Sequence, residues 1–181
     1  MIKLAFAIFC MHALSPEYIE AEQTEIMVNG ATAPYETWHE SVMPGDIVDV
    51  EIPSGYRATV DGEVLRDDWQ APDRAGIHLL EVRNPRSEKV LTMSIFVLEP
   101  ASNVNSDGYL NGYRIGSYPQ NTPRGFIRLE QKDFDTPVSP SFRLGQFLCK
   151  QQPDHFPKYL LVSKPNLRRL ETLLTSLNND G

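Results

Sequence analysis

Tyr56-Arg57-Ala58-Thr59-Val60-Asp61-Gly62-Glu63-Val64-Leu65 is the stretch on which the fold turns. Tyr56, Ala58 and Val60 alternate with polar neighbours, the period of a strand with one buried face. Asp61-Gly62 suits the two positive-φ positions of a tight hairpin turn, and Val64 and Leu65 bring the chain back. The same period of two governs the flanks. Val48, Val50 and Ile52 alternate with Asp49 and Glu51 behind the Pro44-Gly45 turn, which predicts one half-buried strand. His78, Leu80 and Val82 alternate with Ile77, Leu79 and Glu81, and Asn84-Pro85-Arg86-Ser87 turns the chain into Val90 through Leu98, the longest strand candidate. Short strands between turn signals predict a mainly β chain in which residues 22–100 form an immunoglobulin-like β-sandwich. Trp69, near Pro72 and Gly76, is expected as its core aromatic, with a ligand platform as the alternative.

Upstream, Met1-Ile2-Lys3 and the apolar run Leu4 to Leu14 read as a secretory signal over residues 1–21. The alternative is a first strand or buried helix; the run is too short to span a bilayer, so no transmembrane span is expected. Removal of the signal takes Cys10 with it and leaves Cys149 without an internal disulfide partner. Cys149 lies between Leu148 and Lys150 and reads as a buried structural thiol. Charge divides unevenly. Residues 1–100 hold 7 Lys/Arg against 17 Asp/Glu and residues 101–181 hold 10 against 7, giving −10 and +3 within a net −7. An acidic first half excludes nucleic acid as the expected partner, because phosphate binding needs a basic face.

Downstream, Pro100 to Asp107 is a polar loop and the expected boundary with residues 101–181. This second part is a Pro/Gly-punctuated connector dense in Tyr, Phe and Arg, too apolar for a floppy linker. A small α+β arrangement is expected: strands at Phe126 to Leu129 and Tyr159 to Val162, and a short helix opened by Ser139-Pro140 through Leu144, Phe147 and Leu148. An amphipathic terminal helix comes last, with Pro165 in its first turn and Asn178-Asn179-Asp180-Gly181 as its C-cap. Leu167, Leu170, Leu174 and Leu177 form its apolar stripe, with Leu173 beside it, and the stripe is expected to be core.

Two groups of residues in the connector carry a resemblance. Tyr113-Arg114-Ile115-Gly116 with Tyr118-Pro119, and Val138-Ser139-Pro140 with Phe142 and Leu144-Gly145-Gln146-Phe147-Leu148-Cys149-Lys150-Gln151, occur in that order. They resemble the region that precedes the metal domain in bacterial zinc D-alanyl-D-alanine peptidases of the hedgehog-like fold. The resemblance covers roughly Gly112 to Gly181, with Ser141 standing where relatives more often show His. It implies a periplasmic or secreted, non-catalytic N-terminal portion of a peptidoglycan peptidase, with peptidoglycan or a following catalytic domain as partner. Zinc is then expected only in that further domain. Tyr113, Arg114, Tyr118, Arg143, Phe147 and Lys150 are the candidate ligand or interdomain contacts. For Arg114 and Arg143, gripping a peptide-stem carboxylate competes with stacking or salt bridges that lock the connector.

The residues themselves offer little catalytic machinery. His39 and Asp46 match the spacing of the family's metal pair, but Pro44-Gly45 lies between them and no Ser-Gly-Tyr-Arg element precedes them. His78 reads as a satisfied, partly buried imidazole and His155 as a surface residue. Asp67-Asp68 and Asp133/Asp135 read as solvent-facing acids rather than acid/base pairs. No nucleophile elbow, phosphate loop or Cys-x-x-Cys motif occurs. A stand-alone envelope module that binds glycan or protein is the alternative function, and a small enzyme built on His39 and Asp46 is a third.

Overall fold

The computed structural model describes residues 25–115, 124–148 and 154–179. The expected signal segment, Tyr118, Cys149 and Lys150 lie outside them.

The chain is mainly β. Its principal sheet contains β1 (Thr37–Val42), β2 (Arg57–Val60), β3 (Glu63–Val64), β4 (Gly76–Arg83) and β5 (Lys89–Val97), in the order β1-β5-β4-β2-β3. β1 runs parallel to β5 and every other pairing is antiparallel. The Asp61-Gly62 turn forms as the sequence predicts: both residues have positive φ, 52° and 86°, and connect β2 to β3. Asn84 closes the β4–β5 turn by accepting the Arg86 and Glu88 amides on its side chain. β5 lies at the sheet's interior, and from Ser94 to Val97 every residue is buried, so both of its faces are covered. Its near-continuous apolar sequence is what that position demands.

Val48 to Ile52 departs from expectation. Instead of one strand, Ile47–Val48 pairs with Trp69–Gln70 while Val50–Glu51 pairs with Met27–Val28. The segment changes partner at Asp49, whose amide bonds the Asn29 side chain and whose carbonyl accepts the Asn29 amide. Trp69 is also corrected as the core aromatic. Trp38 on β1, 2 % exposed, takes that role, and Trp69 is half-buried at the edge of the core.

Beyond β5, β6 (Glu99–Pro100), β7 (Gly125–Leu129) and β8 (Lys158–Leu160) form a second antiparallel sheet in the order β6-β7-β8. A hairpin of Tyr109–Leu110 with Tyr113–Arg114 turns through Asn111 and Gly112, both at positive φ. The helix expected from Ser139 begins only at Leu144 and is a single 3₁₀ turn, Leu144–Phe147. Its late start has a cause: the Val138 amide bonds the Phe142 carbonyl and the side chains of Ser139 and Ser141 are drawn to another element, so the chain between them makes no helical turn. α1 (Lys164–Asn179) is the terminal helix. One buried cluster takes Val28 through Val97 from before Pro100 and Ile127, Leu129, Val138, Leu144, Leu160 and Leu167 from after it. The core therefore runs across the expected boundary.

Candidate functional site

Two places concentrate chemistry: the seam where residues 137–148 lie on the principal sheet, and a pair of clefts at the β2–β4 edge.

The seam is built by register. His39 on β1 sits beside Ser94 on β5, and the two side chains reach consecutive carbonyls of the connector. Ser94 Oγ donates to Pro137 O at 2.7 Å, and His39 Nδ1 donates to Val138 O at 2.8 Å. A carbonyl only accepts, so Nδ1 carries the proton and Nε2 is the bare nitrogen of the neutral ring. That Nε2 is buried with no hydrogen-bond partner. Burial pushes the imidazole pKa below its ordinary value; the Val138 bond opposes the shift, nearby Lys164 adds to it and Glu40 opposes it. Trp38 and Phe96 flank the ring, with centroids 5.1 and 5.4 Å away.

α1 closes the other side of the seam. Glu171, 5 % exposed, accepts from Ser139 Oγ at 2.5 Å, Ser141 N at 2.8 Å and Ser141 Oγ at 2.8 Å. Burial pushes its pKa up, but the three donors outweigh burial and hold the carboxyl below the usual value. Lys164 pairs with Glu40, and Arg168 lies over the Trp38 ring at 5.7 Å. These contacts fix the rotation of the helix. Leu167, Glu171 and Leu174 face inward, while Leu170, Leu173 and Leu177 are 39 %, 55 % and 61 % exposed. The expected leucine stripe is therefore only partly core.

The candidate contact residues divide between two regions. Tyr113 is 3 % exposed, packs with Leu110, Phe126 and Tyr159, and donates its hydroxyl to His155 O. Burial, followed by the Tyr159 neighbour, raises its pKa. Arg114 is exposed on the same hairpin. Arg143 is exposed but turns its guanidinium onto the carbonyls of Ser139 and Phe142, at 3.2 and 3.1 Å, bracing the seam. Phe147 is half-buried against Phe142. Among the described residues, then, Tyr113 and Phe147 pack internally and Arg143 braces its own loop.

His39 and Asp46 do not fit a zinc pair. The ring is sealed against Val138, and the Asp46 carboxylate accepts the Met43 amide and faces Arg124 at 3.6 Å. Among the described residues no three His, Cys, Asp or Glu side chains group to hold a metal. His155 is exposed as expected, its Nε2 3.3 Å from Asn111 O.

The clefts centre on His78. Its Nδ1 lies 2.7 Å from Asp61 Oδ2, and Asp61 Oδ1 accepts the Leu79 amide at 2.9 Å. The Trp69 ring sits 5.0 Å away, tilted by 55°. Trp69, Leu65, Pro72, Glu63 and Gln70 line a cleft of about 370 Å³ on one side. Arg74, Ile77, Arg128, Glu130 and Lys132 line one of about 480 Å³ on the other, and Pro72 and His78 belong to both. Sequence periodicity placed His78 on a strand, but it gave no sign that Asp61 and Trp69 would meet it there.

No helix of the described residues is long and apolar enough to cross a membrane. Compared with family models, curated proteins and solved structures, the chain gives no match.

Proposed function

We propose that this chain is the non-catalytic N-terminal portion of a periplasmic zinc peptidase-like protein of the D-alanyl-D-alanine type, with a positioning or recognition role. Its residues 22–100 are read as an immunoglobulin-like sandwich. The sheet order supports that reading, with edge strand β1 parallel to β5 and antiparallel hairpins on the other side of β5. The observation that carries the functional reading is the clamping of Val138-Ser139-Pro140-Ser141, part of the resembling motif, between the principal sheet and Glu171 of α1. A motif whose polar groups orient the terminal helix suits a chain that positions a further domain. The exposed Leu170, Leu173 and Leu177 then supply an apolar face for that domain. Zinc bound in such a domain would supply the Lewis acid for hydrolysis of a stem-peptide amide. The residues of this chain hold and orient.

Elemental zinc analysis, a D-alanyl-D-alanine cleavage assay and co-sedimentation with peptidoglycan sacculi test the proposal on the purified chain. Retention on sacculi without zinc or cleavage is the expected result. Stoichiometric zinc with turnover overturns it. A reading frame that continues past codon 181 into a His-bearing domain supports the peptidase reading, and a stop codon there favours a stand-alone envelope binding module. The clefts beside His78 are the observation that favours this second reading.

A further inference from the structure

We infer that the two clefts joined at His78 bind a neutral pyranose oligosaccharide, with Trp69 as the stacking surface and the Asp61–His78 pair as the hydrogen-bonding anchor. The inference rests on the recognition role proposed above and adds its ligand class.

The shape comes first. Both clefts fall within the roughly 300–1,000 Å³ of small-molecule sites, and they lie side by side with Pro72 and His78 lining both. In the first cleft, Val60, Leu65 and Pro72 surround an indole that its own chain covers only in part. A flat aromatic wall of this kind suits a ligand with one apolar face.

The polar groups narrow the choice. Asp61 and Glu63 are acceptors only, and Gln70 adds one amide. Nδ1 of His78 donates to the Asp61 carboxylate, and Nε2 is the ring's second polar atom. It lies on the Gly76 side, 3.8 Å from where a Cβ on Gly76 would stand. The carboxylates of Asp61 and Glu63 make the first cleft ask for donors and repel anions, which disfavours a phosphate or a peptide carboxylate beside them. A quaternary ammonium finds carboxylates there, but such cations are held in cages of several aromatic faces, and Trp69 is the only indole lining this cleft. A pyranose satisfies both demands, with a C–H face for Trp69 and a rim of hydroxyl donors for the Asp61 and Glu63 carboxylates. Arg74 and Lys132 in the second cleft supply donors for the hydroxyl and carbonyl oxygens of the next ring.

The anchor is preorganised. Asp61 is held in a positive-φ turn and by the Leu79 amide, and His78 is fixed by Asp61. Ligand binding then orders few side chains, which favours affinity.

The test is calorimetric titration of the chain with the neutral β-linked tetramer of N-acetylglucosamine, with tryptophan emission read in parallel. Saturable binding with an emission change is expected, because Trp69 is half-buried while Trp38 is sealed in the core. Trp69→Leu and His78→Ala should each weaken binding by about tenfold, with unchanged far-UV dichroism. His78→Ala serves as the second variant if Trp69→Leu fails to fold. No saturation up to about 10 mM, or equal binding by a folded variant, overturns the inference. Saturation by tetramethylammonium but not by the tetrasaccharide overturns it in favour of a cation site. Retention on sacculi without tetrasaccharide binding sinks this inference and leaves the proposed function standing. Tetrasaccharide binding without sacculus retention supports the site and counts against the envelope role.

Discussion

His39 and Val138 lie ninety-nine residues apart in sequence and share a 2.8 Å hydrogen bond inside the core. The bond ties β1 to the connector, and the ring's second nitrogen is buried with no partner. The burial of this ring makes stability depend on pH. Burial lowers the folded-state pKa of His39 below the ordinary 6.5 that it regains on unfolding. Between those two values the unfolded chain binds more protons, so stability is fully present above about pH 6.5 and falls as pH drops through the folded value. Urea midpoints measured from pH 8 to pH 5 should decline in the wild type, and the decline should be shallower in His39→Phe. A parallel decline in both would show that His39 is not its source.

Glu171 governs the second tie. Its folded pKa lies below the ordinary 4.5, so its contribution is present above that pH and is lost as pH falls through the folded value. At neutral pH, Glu171→Ala strands the buried Ser139 hydroxyl and removes the acceptor of the Ser141 amide, at a cost of about 1–3 kcal/mol. Glu171→Gln keeps one acceptor oxygen and should lose less than Glu171→Ala. Chemical denaturation of the two variants measures the difference; equal losses would place the effect in packing rather than in the hydrogen bonds.

The leucines of α1 should behave in two ways. Leu167 is 1 % exposed, and Leu167→Ala should cost about 2–5 kcal/mol. Leu173→Ser and Leu177→Ser should each change stability by no more than about 0.5 kcal/mol, since both side chains are mostly in solvent. Thermal unfolding of the three variants reads this directly. A large loss at Leu177 would mean that its face is covered within the chain.

Much of the principal sheet was legible because local signals agreed with one another. Asp61-Gly62, the Asn84–Ser87 turn and the run from Val90 specify their elements without help from distant residues. The Asn111-Gly112 hairpin carried the same kind of signal and was hidden only by the aromatic density around it. Leucine periodicity located α1 but could not orient it. The rotation is set by Glu171, a charged residue on the inward face, and the two serines at 139 and 141 offset the cost of burying it. Trp38 was missed as the core aromatic because β1 mixes Trp38, His39 and Glu40 with no clean alternation, and its burial depends on partners drawn from the connector and α1. The cleft around His78 was illegible for the same reason: Asp61, Trp69 and His78 come from three separate elements.

Gly125 offers a test of how closely the two sheets are joined. A Cβ built there would stand 2.5 Å from Glu99 O and 2.8 Å from Leu98 Cβ, in the pairing of β6 with β7. Those neighbours are backbone and the stem of a packed residue, so neither can swing aside. Gly125→Ala should cost about 1–3 kcal/mol through overpacking. The strain is local to the β6–β7 pairing, so amide exchange should quicken first at Ala101, whose N–H bonds Arg124 O, before it does so in β4 and β5. Uniform quickening across β4, β5 and β7 would instead mean that the two sheets open as one unit, as expected if the shared core from Val28 to Leu167 dominates their stability.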